Sequence, residues 1–303
     1  MSKSYAFIVN PAAGRGKGKG MAARLEDMMH RYPLVKRTVE ETQDTGAMEP
    51  ARRLAKTHDV IVAVGGDGTV HEVANGIAKT SAALAVLPVG SGNDFARLFG
   101  LAPNIERALH GVMSGMTIRI DLGRIRVQNT DGLKDHSCYF INTAGIGLDA
   151  AIAAASARMK RFKGLLLYLV STVRTLSRFR AQQYEIRLGN HRQSGKYLLV
   201  CFGNGDREGG GFQLTPDARP DDGAFQVCVV KEMSASAALR AVPLALQGNH
   251  GRHPSVSLVT ATAGLIESEE AMIVHADGEI ISSGARKVAV GIVPGGLRVI
   301  VPA

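Results

Sequence analysis

Along the first part of the chain, apolar residues come in short unbroken runs. Positions 5–9, 60–64 and 83–87 are apolar throughout. A strand apolar on both faces belongs in a sheet covered on both sides, as in parallel α/β folds. Each run leads into a glycine-rich turn, and helical spacing follows. After the first, residues 21–30 predict a helix. After the second, Val70, Val73, Ala74 and Ile77 recur at helical intervals, and after the third, Phe95, Leu98 and Phe99 do so. Strand, glycine loop and helix in repetition predict an open parallel sheet.

The pattern changes near Asp121. Downstream, strand-like stretches dominate at 184–188, 197–202, 225–230, 272–274, 288–292 and 297–301, separated by turn clusters such as Gly203-Asn204-Gly205 and Pro220-Asp221-Asp222-Gly223. Helical patterns over 150–179 and 235–247 interrupt them. The expectation is an α/β N-terminal domain over 1–122, with a β-rich second domain over 123–303.

Composition narrows the chemistry. Glycine is abundant, with 35 of 303 residues, against a usual share of about 7%, and the excess gathers at the loops. The net charge of +9 favours polyanions. With no Trp and 5% aromatic residues, stacking platforms for single-stranded nucleic acid are scarce, so no nucleic-acid partner is expected. The three cysteines, Cys138, Cys201 and Cys228, are widely spaced without a Cys-x-x-Cys; they read as reduced core residues of a cytoplasmic protein. Residues 1–10 lack the apolar core of a signal peptide, and the longest apolar run, 164–173, is too short to span a bilayer.

The three glycine loops follow the predicted strands, at the edge where open α/β sheets bind ligands. They are Asn10-Pro11-Ala12-Ala13-Gly14-Arg15-Gly16-Lys17-Gly18, Gly65-Gly66-Asp67-Gly68-Thr69, and Pro88-Val89-Gly90-Ser91-Gly92-Asn93-Asp94. Glycine lets backbone N–H groups approach an anion closely, and a helix N-terminus adds a favourable dipole. The first loop lacks the Gly-Lys-Ser/Thr of a P-loop, and the second is not a Gly-x-Gly-x-x-Gly dinucleotide fingerprint. Each alone also reads as a tight turn, with Ser91 or Asn93 as a helix cap in the third. Together they point to a polyphosphate, a nucleotide first of all.

Gly65-Gly66-Asp67-Gly68-Thr69 with Asn75-Gly76 resembles the signature of the diacylglycerol kinase catalytic-domain family, which includes sphingosine and ceramide kinases and bacterial relatives. Asn10-Pro11 with Gly14 resembles its first nucleotide loop. Positions 88–97 resemble Pro-x-Gly-Thr-x-Asn-Asp-Phe-Ala-Arg, with Ser91 where the family has Thr; Gly92 and His71 also depart from commoner choices. Asn142, Gly145, Gly147, Leu148 and Asp149, then 209–223, then 275–279, resemble later family blocks in order along nearly the whole chain.

The resemblance implies an NAD kinase/phosphofructokinase-like parallel sheet in the first domain and a β-sandwich in the second. It also implies a last strand, at about 294–303, that returns to the first domain. ATP is the implied co-substrate, contacted at Asn10, Pro11, Ala12, Ala13, Gly14, Thr42, Gly65, Gly66, Asp67, Gly68, Thr69, Val70, His71 and Ser91. It implies Mg2+ at Asp222 with the backbones of Arg219 and Ala224, and a proton acceptor at Glu279, with Asp277 as rival. Asp94 and Asp67 would organise a second Mg–ATP. Asp277-Gly278 by itself also reads as a hairpin turn. Phosphoryl transfer needs a phosphate cradle, a cation and a proton acceptor, and these residues supply candidates for each.

The substrate class implied is a lipid alcohol, diacylglycerol giving phosphatidic acid. Another lipid alcohol, NAD, or a non-catalytic nucleotide or lipid sensor are the alternatives. Residues 158–180 carry Arg158, Lys160, Arg161, Lys163, Arg174, Arg178 and Arg180, no acid, and an apolar centre at 165–170. Such a helix either lies in the core with solvated ends or docks on an anionic membrane surface. The second reading makes the protein peripheral to the inner face of the membrane. A homodimer is the assembly the resemblance suggests.

Overall fold

The computed structural model describes residues 3–43, 46–101, 104–130, 134–159 and 164–302. The chain forms two compact units. The first comprises residues 1–120 and 295–303, and the second residues 121–294.

The first unit alternates strand and helix: β1 (Tyr5–Val9), α1 (Ala13–Gly16), α2 (Met21–Met29), β2 (Arg37–Glu41), α3 (Met48–Leu54), β3 (Val60–Gly65), α4 (Asp67–Ile77), β4 (Ala83–Pro88), α5 (Asp94–Leu98) and α6 (Ile105–Ser114). β2, β1, β3 and β4 lie side by side, all parallel, with Val9 opposite Val64 and Gly65 opposite Pro88. β1, β3 and β4 are buried along their whole length, which is what their unbroken apolar runs require. β2 escaped the apolar pattern. Its sequence is Arg-Thr-Val-Glu-Glu, half-buried at the sheet edge, where charged side chains discourage further pairing.

The second unit is mostly antiparallel. After β5 (Met116–Asn129) come β6 (His136–Phe140), β7 (Thr143–Gly147), α7 (Leu148–Arg158), α8 (Gly164–Leu176), β8 (Gln182–Leu188), β9 (His191–Gly203), β10 (Phe225–Lys231), α9 (Ala235–Leu246), β11 (Val256–Ala261), β12 (Ala263–Ala276) and β13 (Glu279–Val301). The unit boundaries fall within β5 and just after the midpoint of β13. Strands run in the order β11-β10-β9-β7-β12-β13, with β8 bridging β9 and β12. The core gathers Phe140, Tyr184, Phe202, Phe225 and Val274 from these strands. The end of β13 belongs to the first unit, where Arg298 pairs in parallel with Ala83 of β4.

The pattern over 150–179 predicts one helix, and the structure has two. Met159 is extended (φ −95°, ψ 110°), which ends the i→i−4 ladder of α7, and α8 starts at Gly164. Lys160, Arg161 and Lys163 lie outside the described residues. Among the described residues, no helix is long and apolar enough to cross a membrane.

Candidate functional site

The three glycine loops converge at the C-terminal edge of the parallel strands. Asn10 Nδ2 donates to Thr69 Oγ1 at 3.0 Å, and Asn10 Oδ1 accepts from Ala12 N–H at 2.9 Å. Thr42 joins them, its N–H donating to Val9 O at 2.8 Å. The loops touch backbone to backbone. A Cβ on Gly14 would stand 2.2 Å from Val89 O, and one on Gly90 would stand 2.4 Å from Gly66 Cα. Gly14 is also left-handed, at φ +59°. Side chains there would push the loops apart, so glycine is required by space at Gly90 and by space and backbone conformation at Gly14. Pro11 and Gly68 lie in this cluster, and Ser91 is exposed on it. Val70 and His71 are buried in α4.

Two carboxylates flank Gly92. A Cβ there would be 2.8 Å from Asp67 Oδ2 and 3.7 Å from Asp94 Oδ2. Asp94 is buried, Asp67 half-buried. Burial and then the neighbouring Asp94 push the Asp67 carboxyl up to about 6, against the pull of backbone N–H groups including that of Phe95 at 3.3 Å. Two acids this close cannot both ionise cheaply, and a divalent cation is the usual means of holding both charged.

In the second unit the Asp277-Gly278 pair is a two-residue hairpin turn joining β12 to β13. Both residues have positive φ (+50° and +86°), and Ala276 pairs with Glu279. The turn also does something a plain hairpin does not. Asp277 Oδ1 accepts from the N–H groups of Asn142 at 2.8 Å, Thr143 at 3.2 Å and Ile141 at 3.3 Å. Its carboxylate thus holds the strand entering β7, while Glu279 stands exposed.

Asp222 is also exposed, in the loop before β10, with Oδ1 accepting from Ala224 N–H at 3.1 Å. Buried Asp121 folds this loop back: its Oδ2 accepts from Gly223 N–H at 2.7 Å and its N–H donates to Pro220 O at 2.6 Å. An exposed carboxylate in a loop held by backbone hydrogen bonds is a donor that suits a hard cation retaining several waters.

An apolar pocket with a cavity volume of about 90 Å3 lies among α7, α8, α9 and the sheet of this unit and opens to solvent. Ile152, Leu198, Val230 and Ala238 line its walls. Its polar lining includes Asp149 and Glu208. His275 Nε2 lies 2.9 Å from Asp149 Oδ2, and Cys201 Sγ donates to Glu208 Oε2 at 3.8 Å. Burial raises the Asp149 carboxyl pKa. The electrostatic pull of His275 and the hydrogen bonds from His275, Glu208 and Cys201 outweigh that, so the net direction is down. Burial keeps the Cys138, Cys201 and Cys228 thiols protonated, Cys138 at about 12. All three are free and buried, which marks them as core residues. Tyr168 of α8 lines the same pocket, and its hydroxyl lies 3.8 Å from where a Gly278 Cβ would be. The pocket wall therefore reaches the turn that carries Glu279.

Asp121, Glu208 and the Asp149–His275 pair were not among the residues to which sequence reading gave a role. Asp149 and His275 stand inside family-like blocks, but their meeting across 126 positions has no signal in spacing.

The sequence profile described as "Diacylglycerol kinase catalytic domain" matches residues 4–125, and that of the "YegS C-terminal NAD kinase beta sandwich-like domain" matches residues 142–301. A diacylglycerol kinase of Staphylococcus haemolyticus is 30% identical over 284 residues, 92% of this chain and 83% of that protein. A solved structure of a candidate diacylglycerol kinase from Bacillus anthracis superposes with a TM-score of 0.79 at 27% identity, covering 99% of this chain and 97% of the other. Yeast NADH kinase shares the fold alone, with a TM-score of 0.57 at 9% identity, over 100% of this chain and 84% of that one.

Proposed function

Because the chain belongs to the diacylglycerol kinase catalytic-domain family, we propose that it moves the γ-phosphate of ATP onto the hydroxyl of a lipid, with diacylglycerol the first candidate acceptor and phosphatidic acid the product. The observation that carries this reading is the apolar pocket of the second unit, whose wall at Tyr168 meets the Gly278 turn. An acyl chain gains about 0.8 kcal/mol for each methylene it buries. Seated there, the chain would leave its glycerol end toward Glu279. NAD, polar along its whole length, gains little from such walls.

The glycine loops of the first unit would hold the triphosphate through backbone N–H groups. Glu279 would accept the proton of the lipid hydroxyl as its oxygen bonds to the γ-phosphorus, and the P–O bond to ADP breaks with its electrons leaving on ADP. We assign Glu279 this role over Asp277, whose carboxylate is already occupied by backbone amides. Asp67 and Asp94, and separately Asp222 with the carbonyls of Arg219 and Ala224, are the residues we assign to magnesium. Bound at Asp67 and Asp94, the ion would offset the charge on the phosphates; bound at Asp222, it would serve the structure of the second unit.

Labelled phosphate transfer from Mg-ATP to a panel of micellar lipids, NAD and sugars tests the reading. A lipid product is expected. Ala238→Trp, which fills the pocket from α9, is expected to cut lipid turnover about 10-fold or more and leave ATP binding unchanged. Transfer to NAD or a sugar instead would sink the lipid assignment.

Docking on an anionic bilayer is the finer reading for α7 and α8. Arg158, Arg174 and Arg178 line one groove with Phe179, and Leu166 and Val173 of α8 are exposed. Each cation near an anionic surface contributes about 1 kcal/mol. Replacing the three arginines with alanine should lower partitioning onto phosphatidylglycerol vesicles by about 10²-fold. Undiminished sedimentation would return these helices to a purely structural role.

A further inference from the structure

The buried Asp149–His275 pair adjoins both the lipid pocket and the turn that presents Glu279. His275 uses both ring nitrogens. Gly278 N–H donates to Nδ1 at 3.1 Å, so that nitrogen carries no proton. Nε2 therefore carries it and donates to Asp149 Oδ2 at 2.9 Å. Asp149, Glu208 and His275 offer ligand atoms within 4.8 Å of one another, a spacing a metal ion could bridge. In this tautomer, however, neither imidazole nitrogen has a lone pair free for a cation. The cluster is better explained as a brace. His275 is on β12 two residues before Asp277, Asp149 is in the first turn of α7, and both are buried. A Cβ on Gly145 would lie 2.1 Å from Asp149 Oδ2 and 2.3 Å from His275 Nε2, so the chain has left no room between the sheet and the pair.

We infer that His275 is a positioning residue for phosphoryl transfer: anchored by Asp149 at the pocket lining, it holds the Gly278 amide through Nδ1 and thereby sets where Glu279 stands relative to the lipid hydroxyl. The inference rests on the assignment of Glu279 as proton acceptor. Asp277 clamps one side of the turn to residues 141–143, and His275 clamps the other side at Gly278. Two clamps on a two-residue turn leave it little freedom. Because Asp149 lines the pocket itself, the same pair registers the turn against a bound lipid. A displacement of about 1 Å in a reacting group can cost about 10²-fold in rate.

Two substitutions separate positioning from packing. Asparagine places its Oδ1 near the site of the histidine Nδ1, and glutamine places its Nε2 near the site of the histidine Nε2. His275→Asn thus keeps an acceptor for Gly278 and loses the Asp149 contact. His275→Gln keeps the Asp149 contact, is closer in length to histidine, and loses the acceptor. Positioning predicts that His275→Asn, which keeps the acceptor for Gly278 but has lost its Asp149 anchor, loses about 5-fold in kcat, clearly less than His275→Gln. It predicts that His275→Gln loses about 30-fold in kcat, with KM for ATP unchanged. A packing role predicts the reverse order, and that result would overturn the inference. Hydrogen exchange at the Gly278 amide supplies a readout independent of turnover. It should quicken in His275→Gln and stay slow in His275→Asn, and equal protection in both would also overturn the inference. Glu279→Ala, run alongside, keeps the two levels apart. If that variant retains turnover, the acceptor assignment fails. If it loses turnover while His275→Gln does not, the acceptor stands and the positioning role fails.

Discussion

Glu279→Gln should lower lipid phosphorylation by about 10²–10⁴-fold, the usual contribution of a positioned general base, with ATP binding and the melting midpoint unchanged. The side chain is exposed at the first residue of β13, so removing its charge breaks no core contact. Asp277→Asn provides the contrast. Its carboxylate gathers three backbone N–H groups, and a neutral amide accepts from them less strongly. That variant should lose about 1–3 kcal/mol of stability along with some activity. Steady-state kinetics and thermal melts on the two variants check the assignment. Wild-type turnover in Glu279→Gln, together with an inactive but fully stable Asp277→Asn, would exchange their roles.

Asp67→Asn should combine a loss of activity of about 10²-fold or more with a gain in stability of the metal-free protein, because Asp67 shares its place with Asp94. Its carboxyl is raised from 3.8 to about 6 in the folded state. Between those values the folded chain binds more protons than the unfolded one, so stability falls as pH rises through this window. Above about pH 6 the like-charge cost is fully present, and the asparagine variant escapes it, by roughly 1–2 kcal/mol for this half-buried group. Denaturant melts without divalent cations should show the variant and wild type close together near pH 4 and diverging up to pH 6. Added magnesium should stabilise wild type more than the variant, since a cation bound at two carboxylates relieves the repulsion. A stability difference that ignores both pH and magnesium would remove Asp67 and Asp94 as a cation pair.

The parallel sheet was legible because burial on both faces forces its strands to be apolar throughout, and 5–9, 60–64 and 83–87 have no other good use. The edge strand β2 was not legible. Its place comes from pairing with β1, and half-exposed edge positions tolerate charge. The split of 150–179 into α7 and α8 was hidden for a related reason, since apolar periodicity continues across Met159 and carries no mark of its extended backbone.

The sequence alone determined the fold class and the family, because loops that close on one another impose glycine at positions where backbone must lie on backbone. Gly14 against Val89 and Gly90 against Gly66 are that constraint made visible. Only the tertiary structure decided what the polar residues of the second unit face. The resemblance ranks Glu279 ahead of Asp277 but says nothing of their surroundings, and these differ entirely, one gripped by three amides and the other exposed. Asp149 meets His275 across 126 positions, and Tyr168 meets Gly278, because helices α7 and α8 pack over a sheet whose strands are far apart in sequence. Local sequence determines which backbone conformations a segment can adopt, whereas the neighbours of a buried carboxylate are set by how distant segments close over one another.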